Sequence, residues 1–156
     1  MAERLEQTCV RVRVQVAWGD CDPAGIVFYP RFYAWMDQSS HLLAREMGVR
    51  REDQIPPNPD AVGFPLVASQ ADYLAPAYMD DLLEVRTWVS RVGRSSLRLR
   101  HEIVRLTHDG EQLLVRGAEE RVFIGRDAHG GMRPRELTAE MRAVLARFAD
   151  PSPVTS

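Results

Sequence analysis

Lysine is absent: all 20 basic residues among the 156 are arginine, a side chain whose guanidinium fork grips phosphate in a bidentate way that lysine cannot. Cysteine is scarce. Cys9 and Cys21 are too few for a disulfide framework, and no apolar stretch of signal-peptide type follows Met1, so a reducing cytoplasm is the expected location. No apolar run approaches the roughly 18 to 20 residues that span a bilayer, so no membrane partner is expected. There is no large excess of charge of either sign: the formal net charge of -2 does not suggest a general binder of nucleic acid or other polyanions, and no nucleic-acid partner is expected. Internal repeats and low-complexity tracts are absent too. With 45% hydrophobic residues, the chain reads as one domain over residues 1–149 with a flexible tail at 150–156.

Periodicity supplies the elements. Val10, Val12, Val14 and Val16 alternate with Arg11, Arg13 and Gln15, which predicts a strand with one wet face. From Pro30 to Met47, apolar residues recur at three and four positions (Phe32, Trp35, Met36, Leu43, Met47). Pro30 suits the first turn and Gly48 the cap, so a helix of about five turns is predicted. Residues 51–65 hold four prolines and a glycine and read as a loop long enough to cover a site. Four strands follow, at about 66–75, 82–92, 96–107 and 112–125, with turn chemistry between them and Asp109-Gly110 the strongest hairpin signal. Thr138 caps a last amphipathic helix through Met141, Val144, Leu145 and Phe148. Strands joined by short turns pair antiparallel, which gives an α+β class with a sheet over one long helix. Edge strands left open favour pairing with a second chain, so a homo-oligomer is expected.

The stretch between the first strand and the long helix, WGDCDPAGIVFYP at 18–30, carries more than a turn requires. Three chemistries compete for its two aspartates. Asp-x-Asp after an apolar strand marks haloacid-dehalogenase-like phosphohydrolases, but those begin with a strand buried on both faces, and Arg11 and Arg13 contradict that. A metal site lacks support, because hard cations recruit further oxygen ligands and zinc recruits histidine, while His41 lies about three helical turns away. Asp37 and His41 share a helix face, but Ser39 and Ser40 lie on the helix between them, without the sharp turn that exposes a nucleophile. The third chemistry uses the whole stretch. A carboxylate at Asp22 stands before a helix N-terminus, whose unpaired N–H groups and dipole favour a developing oxyanion, and Gly25 lets a substrate approach the backbone. A carbonyl substrate with a good leaving group suits that arrangement, and thioesters are such substrates.

The segment GDCDPAGIVFYPRFYAWMD, residues 19–37, resembles the active-site segment of the 4-hydroxybenzoyl-CoA thioesterase family, and looser similarity extends over about residues 10–125. The resemblance implies a hotdog fold: a five-stranded antiparallel sheet wrapped around one long central helix, plus the short C-terminal helix. It implies Asp22 as the catalytic carboxylate, attacking directly or through water, and the Tyr29 N–H as the group that polarises the thioester carbonyl. Asp37 is placed by it in the acyl pocket, accepting a hydrogen bond from a ring hydroxyl. The turn Ser90-Arg-Val-Gly-Arg-Ser-Ser96 offers Arg91, Arg94 and Ser95 to the phosphates of CoA, although it lacks the Arg-Arg-Lys run of the 4-hydroxybenzoyl enzyme. Asp20 and Cys21 read as scaffolding. Acyl-CoA is then the substrate, no separate cofactor or metal is needed, and the assembly is a dimer or a dimer of dimers, a homotetramer. Two alternatives stay open: a short-chain acyl-CoA or acyl-carrier-protein thioesterase of the same fold, and a non-hydrolytic acyl-CoA-binding module. Relatives resembling the Tol-Pal-associated group carry histidine where this chain has Pro30, which favours the aroyl type.

Overall fold

The computed structural model describes residues 8–53 and 62–152. The chain runs β1 (Val10–Gln15), α1 (Pro30–Glu46), β2 (Leu66–Tyr73), β3 (Leu82–Val92), β4 (Ser96–Thr107), β5 (Gly110–Val122), the short β6 (Ile124–Arg126) and β7 (Met132–Pro134), and α2 (Ala139–Arg147). Five strands form one sheet in the order β1-β3-β4-β5-β2, every neighbouring pair antiparallel. The long helix, the turns and the Thr138 cap, whose side chain accepts from Met141 N at 3.1 Å, agree with the sequence. The small β6-β7 hairpin does not appear in it: the predicted fourth late strand ends at Val122, and Ile124 starts a separate two-stranded sheet. Much of the predicted 51–65 loop, residues 54–61, lies outside the described residues. Asp150, assigned by sequence to the start of the tail, is held by Arg100 at 2.5 and 2.9 Å and by the Val89 carbonyl at 2.8 Å. Among the described residues, no helix is long and apolar enough to cross a membrane.

Alternation along the strands puts one face of the sheet on α1. Leu83, Val85, Leu99, Ile103 and Val115 meet Phe32, Trp35, Met36 and Leu43 of the helix, all buried. The approach is close because β5 has a glycine under the helix: a Cβ at Gly117 would overlap the Met36 sulfur. Between helix and sheet runs a buried polar seam. Ser39 Oγ lies 2.6 Å from Thr87 Oγ1, Thr87 Oγ1 lies 2.7 Å from His101 Nδ1, and His101 Nε2 faces Glu119 Oε2 at 3.6 Å, too long for a hydrogen bond but close enough to interact electrostatically. Ser40 Oγ sits 2.7 Å from Glu119 Oε2, and Arg121 Nε donates to the same oxygen at 2.9 Å. Burial alone would raise the Glu119 pKa, but His101 and Arg121 outweigh it and hold the carboxyl at about 2.

Two expectations follow. Gly117→Ala should lower stability by about 1 to 3 kcal/mol, because a fully buried methionine must move; unchanged urea unfolding would contradict the close contact. The ionised Glu119 contributes stability that is complete above its unfolded pKa near 4.5 and is lost as pH falls toward 2. Glu119→Gln should therefore cost up to roughly 3 kcal/mol at neutral pH. Its melting temperature should also fall less steeply than the wild type's between pH 4.5 and 2, and parallel acid profiles would contradict the assignment.

Candidate active site

After β1 the chain makes a single 3-10 turn at Trp18–Asp20. Asp20 closes it: Oδ2 accepts from Ala17 N at 2.9 Å, Oδ1 lies 3.4 Å from Arg31 Nε, and its carbonyl accepts from Phe28 N at 2.8 Å. The first contact closes the turn on itself and the other two tie it to the start of α1, the scaffolding role expected of Asp20. Cys21 packs against the core with its thiol 3.8 Å from the Ala17 carbonyl.

Asp22 opens the next turn. Its Oδ1 accepts from Ala24 N at 2.8 Å, its carbonyl accepts from Gly25 N at 2.9 Å, and its N–H donates to Ile26 O at 2.9 Å. One carboxylate oxygen thus fixes the turn, and Oδ2 makes no hydrogen bond among the described residues. Gly25 has φ +82, a left-handed conformation that favours glycine, and open space where a side chain would stand. Its absent side chain therefore serves the turn as well as access.

The turn delivers the chain to Tyr29, which caps α1 with helical dihedrals, followed by Pro30 at the first helical position. The Tyr29 N–H makes no backbone hydrogen bond among the described residues, so a donor at the positive end of the helix dipole is free for an acceptor. Tyr29, Phe32 and Tyr73 line a hollow of about 320 Å³ with Ile26 and Pro76. The Tyr73 phenol lies 3.5 Å from the Tyr29 carbonyl, and burial, with Tyr33 beside it, pushes its pKa up to about 12.

A second, larger hollow of about 370 Å³ opens where the far half of α1 meets the sheet. Leu43, Ala44, Phe64, Leu97 and Leu99 make most of it apolar, and Asp37, Ser40, His41, Arg121 and Arg126 are its polar lining. Arg121 is buried and uses three directions: Nε to Glu119, NH1 to the Phe64 carbonyl at 3.0 Å, and NH2 to Asp37 Oδ1 at 2.6 Å. Burial opposes its charge, but Glu119 and Asp37 prevail and hold its pKa above the ordinary value. Asp37 Oδ2 lies 3.3 Å from His41 Nδ1, which already donates to the Asp37 carbonyl at 2.9 Å.

The predicted residues are thus distributed. Asp22, Gly25 and Tyr29 share the loop and helix end, whereas Asp37 lies about two turns, or ~12 Å, further along the helix and lines the other hollow. Asp22 lines neither hollow. The Arg91, Arg94 and Ser95 turn stands at the opposite end of β3 from the Asp22 loop, about 30 Å away at strand rise. Arg94 is 84% exposed and only 3.6 Å from Glu136, Arg91 lies 3.6 Å from Glu120, and the Ser95 carbonyl accepts from Phe123 N at 2.7 Å. Both guanidiniums therefore face solvent, loosely paired.

Arg121, Glu119 and His101 do not appear among the residues predicted from sequence. A signal existed: Val115, Gly117, Glu119, Arg121 and Phe123 alternate in step, so the inward register of β5 carries two charges, and charges at core positions are rarely buried unless paired. Among the described residues, no group of three or more histidine, cysteine, aspartate or glutamate side chains is placed to hold a metal.

The profile of the Thioesterase superfamily matches residues 24–111. The 4-hydroxybenzoyl-CoA thioesterase of Pseudomonas sp. strain CBS-3 is 34% identical over 132 residues, covering 84% of this chain and 93% of its own. A crystal structure of a mutant 4-hydroxybenzoyl-CoA thioesterase complexed with 4-hydroxybenzoyl-CoA superposes with TM-score 0.76 at 29% identity, covering 88% of this chain and 99% of that one. The BH1999 gentisyl-coenzyme A thioesterase superposes with TM-score 0.69 at 28% identity, covering 87% and 98%. A sheet wrapped on one helix, a carboxylate turn at that helix's start, and these likenesses together establish that the chain belongs to the thioesterase superfamily, the hotdog-fold thioester hydrolases.

Proposed function

We propose that this thioester hydrolase acts on an aromatic acyl-CoA of the 4-hydroxybenzoyl type. The observation that carries the reading is the pairing of a carboxylate turn with a free helix-end donor: Asp22 Oδ2 and the Tyr29 N–H are both without partners among the described residues, on one short loop. The thioester carbonyl oxygen accepts from the Tyr29 N–H, where the helix dipole stabilises the charge that develops in the transition state. Asp22 attacks the carbonyl carbon, or removes a proton from the water that does. On the direct route the carbon–sulfur bond breaks to leave an acyl–Asp22 anhydride, which water then hydrolyses; on the water route the bond breaks from the water adduct. On both, the thiolate of CoA takes a proton and the free acid leaves. Asp37 supports a hydroxylated ring: among the described residues, it is the one carboxylate lining a hollow whose walls are mostly apolar. The 34% identity to the Pseudomonas enzyme named for 4-hydroxybenzoyl-CoA supports the aroyl reading.

The working unit in this reading includes a second copy of the chain. Strand β2 is one of the two edges of the sheet, β1 being the other, and exposes Leu66, Val67, Tyr73 and the adjoining Leu74. Leu66 borders the larger hollow and Tyr73 the smaller one, so the two hollows lie at opposite ends of that edge. Antiparallel pairing of β2 with a second β2 sets one copy's larger hollow beside the other's Tyr29. It also carries the second copy's β3-β4 turn, with its exposed arginines, to the end of the sheet where Asp22 stands, which suits a phosphate-bearing CoA.

The test is release of free thiol from a panel of aroyl- and alkyl-CoA thioesters. Wild-type protein should turn over benzoyl-type thioesters, with the para-hydroxy compound preferred. Asp22→Asn should fold normally and lose roughly 10²- to 10⁴-fold in rate. Equal turnover by wild type and Asp22→Asn across the panel would overturn the mechanism, and a preference for short alkyl chains would overturn the substrate class.

A further inference from the structure

The polar seam beneath α1 ends at the cleft, and its last link is Asp37. Each earlier link is anchored. Glu119 is 2% exposed and receives Arg121 Nε, and Arg121 NH1 is fixed by the Phe64 carbonyl, so the plane of the guanidinium is set by two buried acceptors on different elements. The remaining NH2 then reaches Asp37 Oδ1 at 2.6 Å. Asp37 itself is half exposed, with a side chain that solvent alone would leave free to rotate. With Oδ1 engaged and His41 Nδ1 committed to the backbone carbonyl, Oδ2 is left as a single oriented acceptor on the cleft wall.

We propose that Arg121 is a positioning residue for acyl recognition: bracketed by Glu119 and Phe64, it holds Asp37 in the one orientation that accepts a hydrogen bond from a hydroxyl on the acyl group. This rests on the reading of the cleft as the acyl pocket. The bracket also sets which substituents are welcome. Arg121 is spent on two carboxylates, so at Asp37 the cleft offers an acceptor, which a phenol satisfies and a ring carboxylate set against it does not. Arg126, the other guanidinium lining the cleft among the described residues, donates to the Gly130 carbonyl at 2.9 Å. Ordering of the Asp37 side chain is completed on folding, so it is not charged to binding.

The experiment measures binding rather than turnover, so it is separable from the hydrolytic reading. Calorimetry of the wild-type chain with phenacyl-CoA, an inert thioether, and its para-hydroxy and para-carboxy derivatives should give at least about tenfold tighter binding of the hydroxy than of the unsubstituted compound. The carboxy compound should bind weakest. Arg121→Lys keeps the charge that Glu119 needs but cannot serve three acceptors in one plane, and should bring the hydroxy preference close to parity. In an Asp37→Asn background, Arg121→Lys should change the ratio no further. Where Arg121→Lys does not fold, Glu119→Gln, which loosens the bracket at Nε, should cut the preference in part. A folded Arg121→Lys that keeps the full preference, an equal loss in the Asp37→Asn background, or tighter binding of the carboxy compound would each overturn the assignment. Normal hydrolysis with no hydroxy preference in the wild type would overturn it while leaving the Asp22 mechanism standing. The preference without hydrolysis would do the reverse.

Discussion

Helix α1 lies across a strand that has no side chain at Gly117, and the closeness of that contact decides where both ends of the helix go. With Met36 seated against β5, the N-terminus is carried to the exit of β1, where the Asp22 turn meets it, and the far half opens against Phe64, Leu97 and Leu99. Neither the free Tyr29 N–H nor the placement of Asp37 is encoded at those residues alone. Each follows from how one helix is registered on one sheet.

That register is held by more than apolar packing. An interface of leucines and valines tolerates sliding, because dispersion has little direction. Two hydrogen-bonded runs, Ser39 through Thr87 to His101 and Ser40 through Glu119 and Arg121 to Asp37, are directional and meet at the longer electrostatic contact of His101 with Glu119. Breaking one of their hydrogen bonds leaves a buried polar group unpaired. Burying Glu119 and Arg121 is costly, and their pairing offsets that cost without necessarily adding stability beyond it. In return the helix has one preferred position, and the charge on Arg121 ends beside the carboxylate that faces the cleft.

Much of this was legible in the sequence. The valine alternation of β1, the spacing of Phe32, Trp35, Met36 and Leu43, and the Asp109-Gly110 turn reported local rules, and the elements formed where those rules placed them. The loop at 18–30 was legible for a related reason: Asp22, Pro23, Ala24 and Gly25 build their turn from near neighbours, as Asp20 does. The Arg121–Asp37 pair was hidden because 84 residues separate its members, and only strand order brings β5 to α1. Arg91 and Arg94 illustrate the converse. Their composition promised a phosphate grip, yet their turn stands at the far end of β3 from Asp22, a separation that no local pattern encodes.

In the proposed function the site is divided between two copies, with the hydrolytic carboxylate from one chain facing the acyl cleft of the other. Subunit mixing measures that directly. Asp22→Asn and Asp37→Ala proteins, each impaired on 4-hydroxybenzoyl-CoA as homo-oligomers, are unfolded together, refolded and assayed. A mixed dimer with a divided site contains one site with both native residues, so the mixture should recover roughly a quarter of wild-type activity, half the dimers being mixed with one of two sites intact. Activity no higher than the average of the two separate proteins would contradict the account, because it would place Asp22 and Asp37 of the same chain on the same substrate.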